Sequence, residues 1–286
     1  VTGSHNFKFG MTALRQWTGT TQESESTPPW TRTLIYGSWP ILVDFFGSSM
    51  EENQAATWGL YAQDQWTLDR LTLNLGVRWD YVNVGYPDGI RPANNWVPTE
   101  FTFPGQTVLT WKDFQPRFGL AYDLFGNGRT ALKASANRYG KRESTDWGQR
   151  VNPAVVNRSQ RRSWNDGLTG CVTTGCIPGD GIPQGDPLNP LPNGELTTPN
   201  TNPAFGTPQI VRFYDADWAF GMGSRASNWE YTAGIQHELM SGVSLDVGYF
   251  HREWINFEVV DDRALASDAF DEFQVQVPTD SRLPNS

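Results

Sequence analysis

From Leu71 to Tyr81 every second side chain is apolar. Leu71, Leu73, Leu75, Val77, Trp79 and Tyr81 share one face of an extended chain, and Thr72, Asn74, Gly76, Arg78 and Asp80 share the other. A helix does not repeat every two residues, so the pattern dictates strands with one apolar face. The arrangement recurs along the chain. Val243, Leu245, Val247 and Tyr249 oppose Ser244, Asp246, Gly248 and Arg252. Trp229, Tyr231, Ala233, Ile235 and Leu239 alternate with Glu230, Thr232, Gly234, Gln236 and Glu238. Phe118, Leu120, Tyr122 and Leu124 do so with Gly119, Ala121 and Asp123, and Phe7, Phe9, Met11 and Ala13 with Lys8, Gly10 and Thr12. The segments run for about ten residues, the length a tilted strand needs to cross a bilayer.

A soluble β-sandwich alternates as well, and two details favour a barrel. The polar face is small and charged together, with Gly76 beside Arg78 and Gly248 beside Asp246, as a wet lumen requires. The apolar face ends in aromatic residues (Trp66, Trp79 and Tyr81, Tyr249 and Trp254), the pattern of girdles at a membrane interface. With 38% hydrophobic residues there is no run of the ~20 apolar residues a membrane helix needs, which excludes a helical membrane protein but not a barrel. A 13% aromatic share beside 28 Gly and 19 Pro suits either an outer-membrane barrel or a carbohydrate-binding sandwich. The formal charge of -9 argues against nucleic acid as a partner, because phosphate binding needs clustered Lys and Arg.

Connection lengths are sharply unequal. Short turns fall at 67–70, 125–129 and 240–242, and Asn127-Gly128 predicts a type I′ hairpin. Long connections fall near 85–113 and 141–226, and all of them leave the same side of the sheet. Short turns on one rim and long loops on the other is the layout of bacterial outer-membrane barrels. The pattern predicts about nine strands, near 5–17, 31–39, 55–67, 71–84, 114–125, 129–140, 209–220, 228–239 and 243–256. Ile41–Gly47 reads either as a short helical connection at the short-turn rim or as part of a strand. Asp64 interrupts the apolar register of Trp58, Leu60, Ala62 and Trp66, which implies a bulge or a position at the interface. The fold class is therefore all-β, an antiparallel up-and-down transmembrane barrel of which residues 1–286 are a partial sheet, with 141–226 as a long extracellular loop. Both ends of the chain read as cut, with plug and C-terminal strands outside it.

Cys171 and Cys176 lie in a Pro- and Gly-rich stretch and are expected to form a local disulfide in an oxidising compartment. His5, His237 and His251 are too far from them in sequence to complete a zinc site. None of the three histidines can be set beside a nucleophile and an orienting acid, and Asp44, Asp64 and Asp123 form no spaced pair for glycoside chemistry, so no enzyme is expected. The run from Asp180 to Asp186 lacks the acidic spacing of a calcium loop. No metal and no cofactor is expected.

Several segments carry a resemblance. Gly59-Leu60-Tyr61-Ala62-Gln63-Asp64-Gln65-Trp66 followed by Leu71-Thr72-Leu73-Asn74-Leu75-Gly76-Val77-Arg78-Trp79 resembles a hairpin of TonB-dependent receptors of the Oar-like type, which bear a carboxypeptidase-regulatory-like domain. Pro116–Asp123 and Thr130–Ser135 are similar to the next hairpin, Ser4–Gly10 to the opening strand, Ile41–Gly47 to the segment after it, and Glu230–Glu238 to a later strand. The resemblance implies a barrel of about 22 strands around a plug, placed in the cell outer membrane and driven by the TonB complex. The partners it implies are outer-membrane lipid, the TonB complex through parts of the protein beyond this sequence, and a nutrient ligand.

Three functions follow for comparison. The first is energy-coupled uptake of a large nutrient (siderophore, oligosaccharide or peptide), with Trp147, Arg161, Arg162, Trp164 and Trp218 of the long loop as candidate ligand contacts. The competing reading is that these side chains pack the loop or face water. The second is a passive porin-like channel whose ion preference is set by Lys8, Arg78, Asp80, Lys133 and Asp246. The third is a secreted carbohydrate-binding β-sandwich.

Overall fold

The computed structural model describes residues 3–37, 39–167, 171–173, 175–210, 212–266 and 268–269. The chain divides into two units, Val1–Asn256 and Phe257–Ser286. Over its described residues the second unit is turn and coil, with the Leu265 N–H donating to the Asp262 carbonyl at 2.9 Å.

In the first unit the chain runs through β1 (Ser4–Gln22), β2 (Thr31–Tyr36), β3 (Trp39–Phe46), β4 (Ser49–Leu68), β5 (Leu71–Tyr86), β6 (Gly89–Arg91) and β7 (Phe101–Phe103). It continues through β8 (Gln106–Asp123), β9 (Thr130–Gly140), α1 (Asp146–Gln149), β10 (Ser159–Ser163), α2 (Ala216–Phe220), β11 (Ser227–Met240) and β12 (Val243–Ile255). Seven strands form one antiparallel sheet in the order β1-β4-β5-β8-β9-β11-β12, each beside the next in the chain once the excursions are set aside. That is the up-and-down order expected of a barrel wall, and the sheet is open.

The period of two decides which face each side chain takes. Phe7, Phe9, Met11, Leu60, Val77, Leu245 and Val247 all stay exposed on one face, which a β-sandwich would have buried. The opposite face carries, in one cross-strand row, Lys8, Gln63, Gly76, Arg117, Asn137, Glu230 and Arg252. On the apolar face Trp66 lies near the short-turn end of β4 and Trp58 eight positions up the strand. At about 3.3 Å per residue this is about 26 Å of strand between the two aromatic levels, which at a tilt of about 40° rises about 20 Å, most of the apolar band of about 25 Å. Trp254 is an exception to the expected girdle: it pairs with Asn228 on the polar face, where Arg252 lies 5.8 Å from its ring.

Asp64 needs no bulge. The register of β1, β4 and β5 runs unbroken through it, opposite Phe7 and Leu75, and its carboxylate is taken up by His5 Nδ1 at 2.8 Å close to the turn rim. The turn after β8 is located as expected but is not type I′, because Gly126 and Gly128, and not Asn127, adopt positive φ. Asp123 accepts from both glycine N–H groups, at 3.0 and 2.8 Å, and this wider carboxylate-capped turn replaces the two-residue one.

Two predicted strands take other roles. Segment 209–220 holds no strand over its described residues. Asp215 accepts from the N–H groups of Asp217 and Trp218 at 3.0 and 3.1 Å, and this cap starts α2 instead. The strand near 31–39 lies outside the main sheet. Together with β3 and β10 it forms a separate three-stranded sheet at the rim of the long connections, so 41–46 is neither helical nor at the short-turn rim. Val43 and Phe45 turn to one face of β3 and pack with Val97, Trp164, Leu196 and Phe205. The second core lies on the polar face of the wall, at its loop end.

Candidate functional site

Toward the loop rim the polar face of the wall stops being polar. Asp80 pairs with Asp113, and the next same-face rows are Val82 with Trp111 and Val84 with Leu109. These side chains are buried because segment 141–226 folds back over them. Trp147 of α1 and Trp218 of α2 meet Trp111 edge to face, with centroids 6.1 and 4.9 Å away, and Trp111 Nε1 donates to the Trp218 carbonyl at 2.6 Å. Asn152 donates to the Glu52 carbonyl and to Asn53 Oδ1 at 2.9 and 3.1 Å, and Gln149 donates to Glu51, so the segment is also tied to β4. The long connection is thus a lid on the lumen face. The loop-side ends of β4, β5 and β8 and the loop share one aromatic core.

Below this core lies a charged cluster. Arg225, at the end of the loop, places Nη2 3.1 Å from Asp80 Oδ2 and Nε 2.8 Å from Asp113 Oδ2. Arg78 Nε donates to Asp80 Oδ1 at 2.7 Å, and Gln115 bridges from Asp80 to the Gly140 N–H. Two glycines make the room: a Cβ on Gly59 would collide with Arg78 and Asp80, and one on Gly140 with the Arg225 guanidinium. Around this cluster small residues make room for charged ones, whereas the nearest atoms that a Cβ on Gly76 or Gly248 would meet belong to no guanidinium or carboxylate. Buried charges are retained only when paired, and here each carboxylate faces a guanidinium.

The chain matches the outer membrane beta barrel domain family over residues 1–256. It belongs to that family. The TonB-dependent transporter Oar of Myxococcus xanthus is 24% identical over 212 residues, a stretch covering 72% of this chain. The chain spans 18% of that relative's length. The crystal structure of the Pseudomonas putida toluene transporter TodX overlaps 86% of this chain and 60% of its own, at 9% identity and a TM-score of 0.25. Membership in the outer membrane beta barrel family sets the environment of the two faces: lipid of the outer membrane meets the Phe9–Leu60–Val77 side, and the lumen the Arg78–Asp80 side.

In this outer-membrane wall the loop residues singled out from sequence separate into two groups. Trp147 lies in the aromatic core over the lumen face, and Trp218 sits partly buried beside it at 5.0 Å. Arg161 and Arg162 lie on β10 of the rim sheet, and Trp164 directly follows that strand. Trp164 is buried and donates Nε1 to Glu195 at 2.9 Å; burial pushes the Glu195 carboxyl up, and these hydrogen bonds oppose it. Arg162 is fully buried and donates to the carbonyls of Thr198, Asn189 and Leu191 at 2.7, 3.0 and 3.0 Å, so it ties the loop to itself. Arg161, one residue along the strand, points to the other face and stays 59% exposed beside Asp44. The Cys171–Cys176 disulfide is formed, with the two Cα atoms 5.8 Å apart.

Lys8, Arg78, Asp80, Lys133 and Asp246 do share the lumen face, through the rows that link them across the sheet. Asp113 escaped the sequence reading because β8 was expected to begin at Phe114, and Arg225 because it lies in the long loop; Gln115 fell inside the expected strand without being singled out. The missed signal is the alternation Leu109, Trp111, Asp113, Gln115, which extends the strand back into the assumed loop.

Proposed function

We propose that this chain is a section of barrel wall, with its inward-folded loop, from a TonB-dependent receptor that takes up a large nutrient across the outer membrane. The observation that carries this reading is the 141–226 segment held on the lumen face by Arg225, Asp80 and Asp113 and by the Trp111–Trp147–Trp218 contacts. A loop held on the lumen face by packed aromatic residues and buried ion pairs leaves that face only when energy is supplied, which fits an energised receptor better than a standing pore. The likeness to the Oar transporter supports the same reading. In it the long connections face outward and carry ligand contacts, the TonB complex engages other regions of the full protein, and the role is binding and passage without catalysis.

The test is made on the full-length protein. Reconstituted in planar bilayers it should pass little current, and uptake by intact cells should stop when the TonB system is deleted or the proton gradient collapsed. Steady single-channel conductance with uptake indifferent to the gradient would replace this reading by the passive channel lined by Lys8, Arg78, Lys133 and Asp246.

A further inference from the structure

The small rim sheet carries a row of three charges on its open face. Arg32 on β2, Asp44 on β3 and Arg161 on β10 are direct cross-strand partners. Arg32 donates to Asp44 Oδ2 through Nε and Nη2 at 3.2 and 2.7 Å, and Arg161 to both carboxylate oxygens, at 2.7 and 3.0 Å. Asp44 is therefore saturated: it accepts four hydrogen bonds and is itself buried. The guanidiniums are not saturated. Each has five N–H donors and spends two on Asp44, and among the described residues neither has a further hydrogen-bond partner. Both side chains are more than half exposed.

The row lines a cavity of about 320 Å3, at the small end of ligand sites, which run from about 300 to 1,000 Å3. The other walls are Phe46, Ser159, Gln160, Thr201 and Asn202. Phe46 supplies an aromatic face, with the Arg32 guanidinium 5.6 Å from its centroid, and Ser159, Thr201 and Asn202 supply polar groups suited to hydroxyls. Two cations around one anion leave a single net positive charge, set in a chain whose formal charge is -9.

We propose that this cavity binds a carboxylate-bearing sugar, the carboxylate bridging the free edges of Arg32 and Arg161 and the ring lying against Phe46. A single negative charge with two coplanar oxygens matches the guanidinium fork and the one unbalanced charge. A phosphate dianion also fits the fork but carries more charge than the row leaves unbalanced. The site deepens the uptake reading and rests on it for its purpose, since a rim cavity is where an incoming nutrient is first held.

The test is titration calorimetry on the full-length protein in detergent, with glucuronate, its methyl ester, glucose and inorganic phosphate as probes. Saturable glucuronate binding is expected, weakened at least tenfold by Arg161→Gln or Arg32→Gln. Arg161→Lys should also weaken it, because it keeps the charge and loses the fork. Each single variant leaves Asp44 one arginine, and retention of the heat-modifiable folded band on gels shows that the barrel is intact. The proposal is overturned if glucuronate does not saturate, if its ester, glucose or phosphate binds as well, or if folded Arg161→Gln binds glucuronate like the parent. Glucuronate binding combined with gradient-independent uptake would leave this site standing and remove the TonB reading instead.

Discussion

Arg225 and Asp113 sit 2.8 Å apart, each no more than 3% exposed, and they join the last residues of the long loop to the middle of the wall. Arg225 also touches Asp80 on the neighbouring strand, whose other carboxylate oxygen is held by Arg78, so its guanidinium is shared between two buried carboxylates. Removing it should hurt more than removing either acid. Arg225→Ala is expected to cost about 3–5 kcal/mol, the range for stranding a buried charge. Urea unfolding of the full-length protein, compared with Asp113→Asn, measures this. Equal losses for the two variants would refute the shared-cation arrangement.

Trp147 is held on three sides, 6.1 Å from Trp111, 5.6 Å from Tyr214 and 5.0 Å from Trp218. Trp147→Ala should therefore loosen the loop from the lumen face, at a cost of about 3–5 kcal/mol to that packing. Limited proteolysis should then cut within 141–226 faster than in the parent, while the β5–β8 wall stays protected. An unchanged cleavage rate would mean that the aromatic core does not hold the lid.

The two faces of the wall should respond in opposite ways to the same residue. Val77 lies midway between the two aromatic levels of the lipid face, and Val77→Arg should cost about 2–4 kcal/mol of folding into lipid vesicles. Gln63 lies on the lumen side of the adjacent strand and is exposed there, so Gln63→Arg should change folding by less than about 0.5 kcal/mol. Comparing folded yields of the two variants checks the assignment of faces. Similar losses would show that the polar side is not a wet lumen.

Acid should loosen the rim sheet. Hydrogen bonds from Arg161 are the main reason the Asp44 carboxyl titrates below its ordinary value of 3.8; burial acts against them and Arg32 adds to them. Because the folded value is the lower one, this contribution is complete above pH 3.8 and is lost as pH falls through the folded value. Hydrogen exchange of β2 and β3 should accelerate across that acidic window and stay level above it. In Asp44→Asn the acid step at these strands should disappear, and a step that persists would assign it to another group.

Much of this protein is determined by a period of two. Because successive side chains on a strand point to opposite faces, Leu71–Tyr81 and Val243–Tyr249 specify a strand with one apolar face by themselves, and the short turns at 69–70 and 241–242 specify the antiparallel neighbour. What only the tertiary structure decided is where the long connections go. Trp147, Arg162 and Trp164 show no periodicity that separates a ligand-facing residue from a buried one. Their burial comes from partners distant in sequence, such as Trp111 for Trp147 and Glu195 for Trp164. The same holds for Arg225, which finds Asp80 only because the loop closes back on the wall. Alternation is a local property and is written in neighbouring residues. The pairing of a loop with a lumen depends on closure over long distances, and no local pattern carries it.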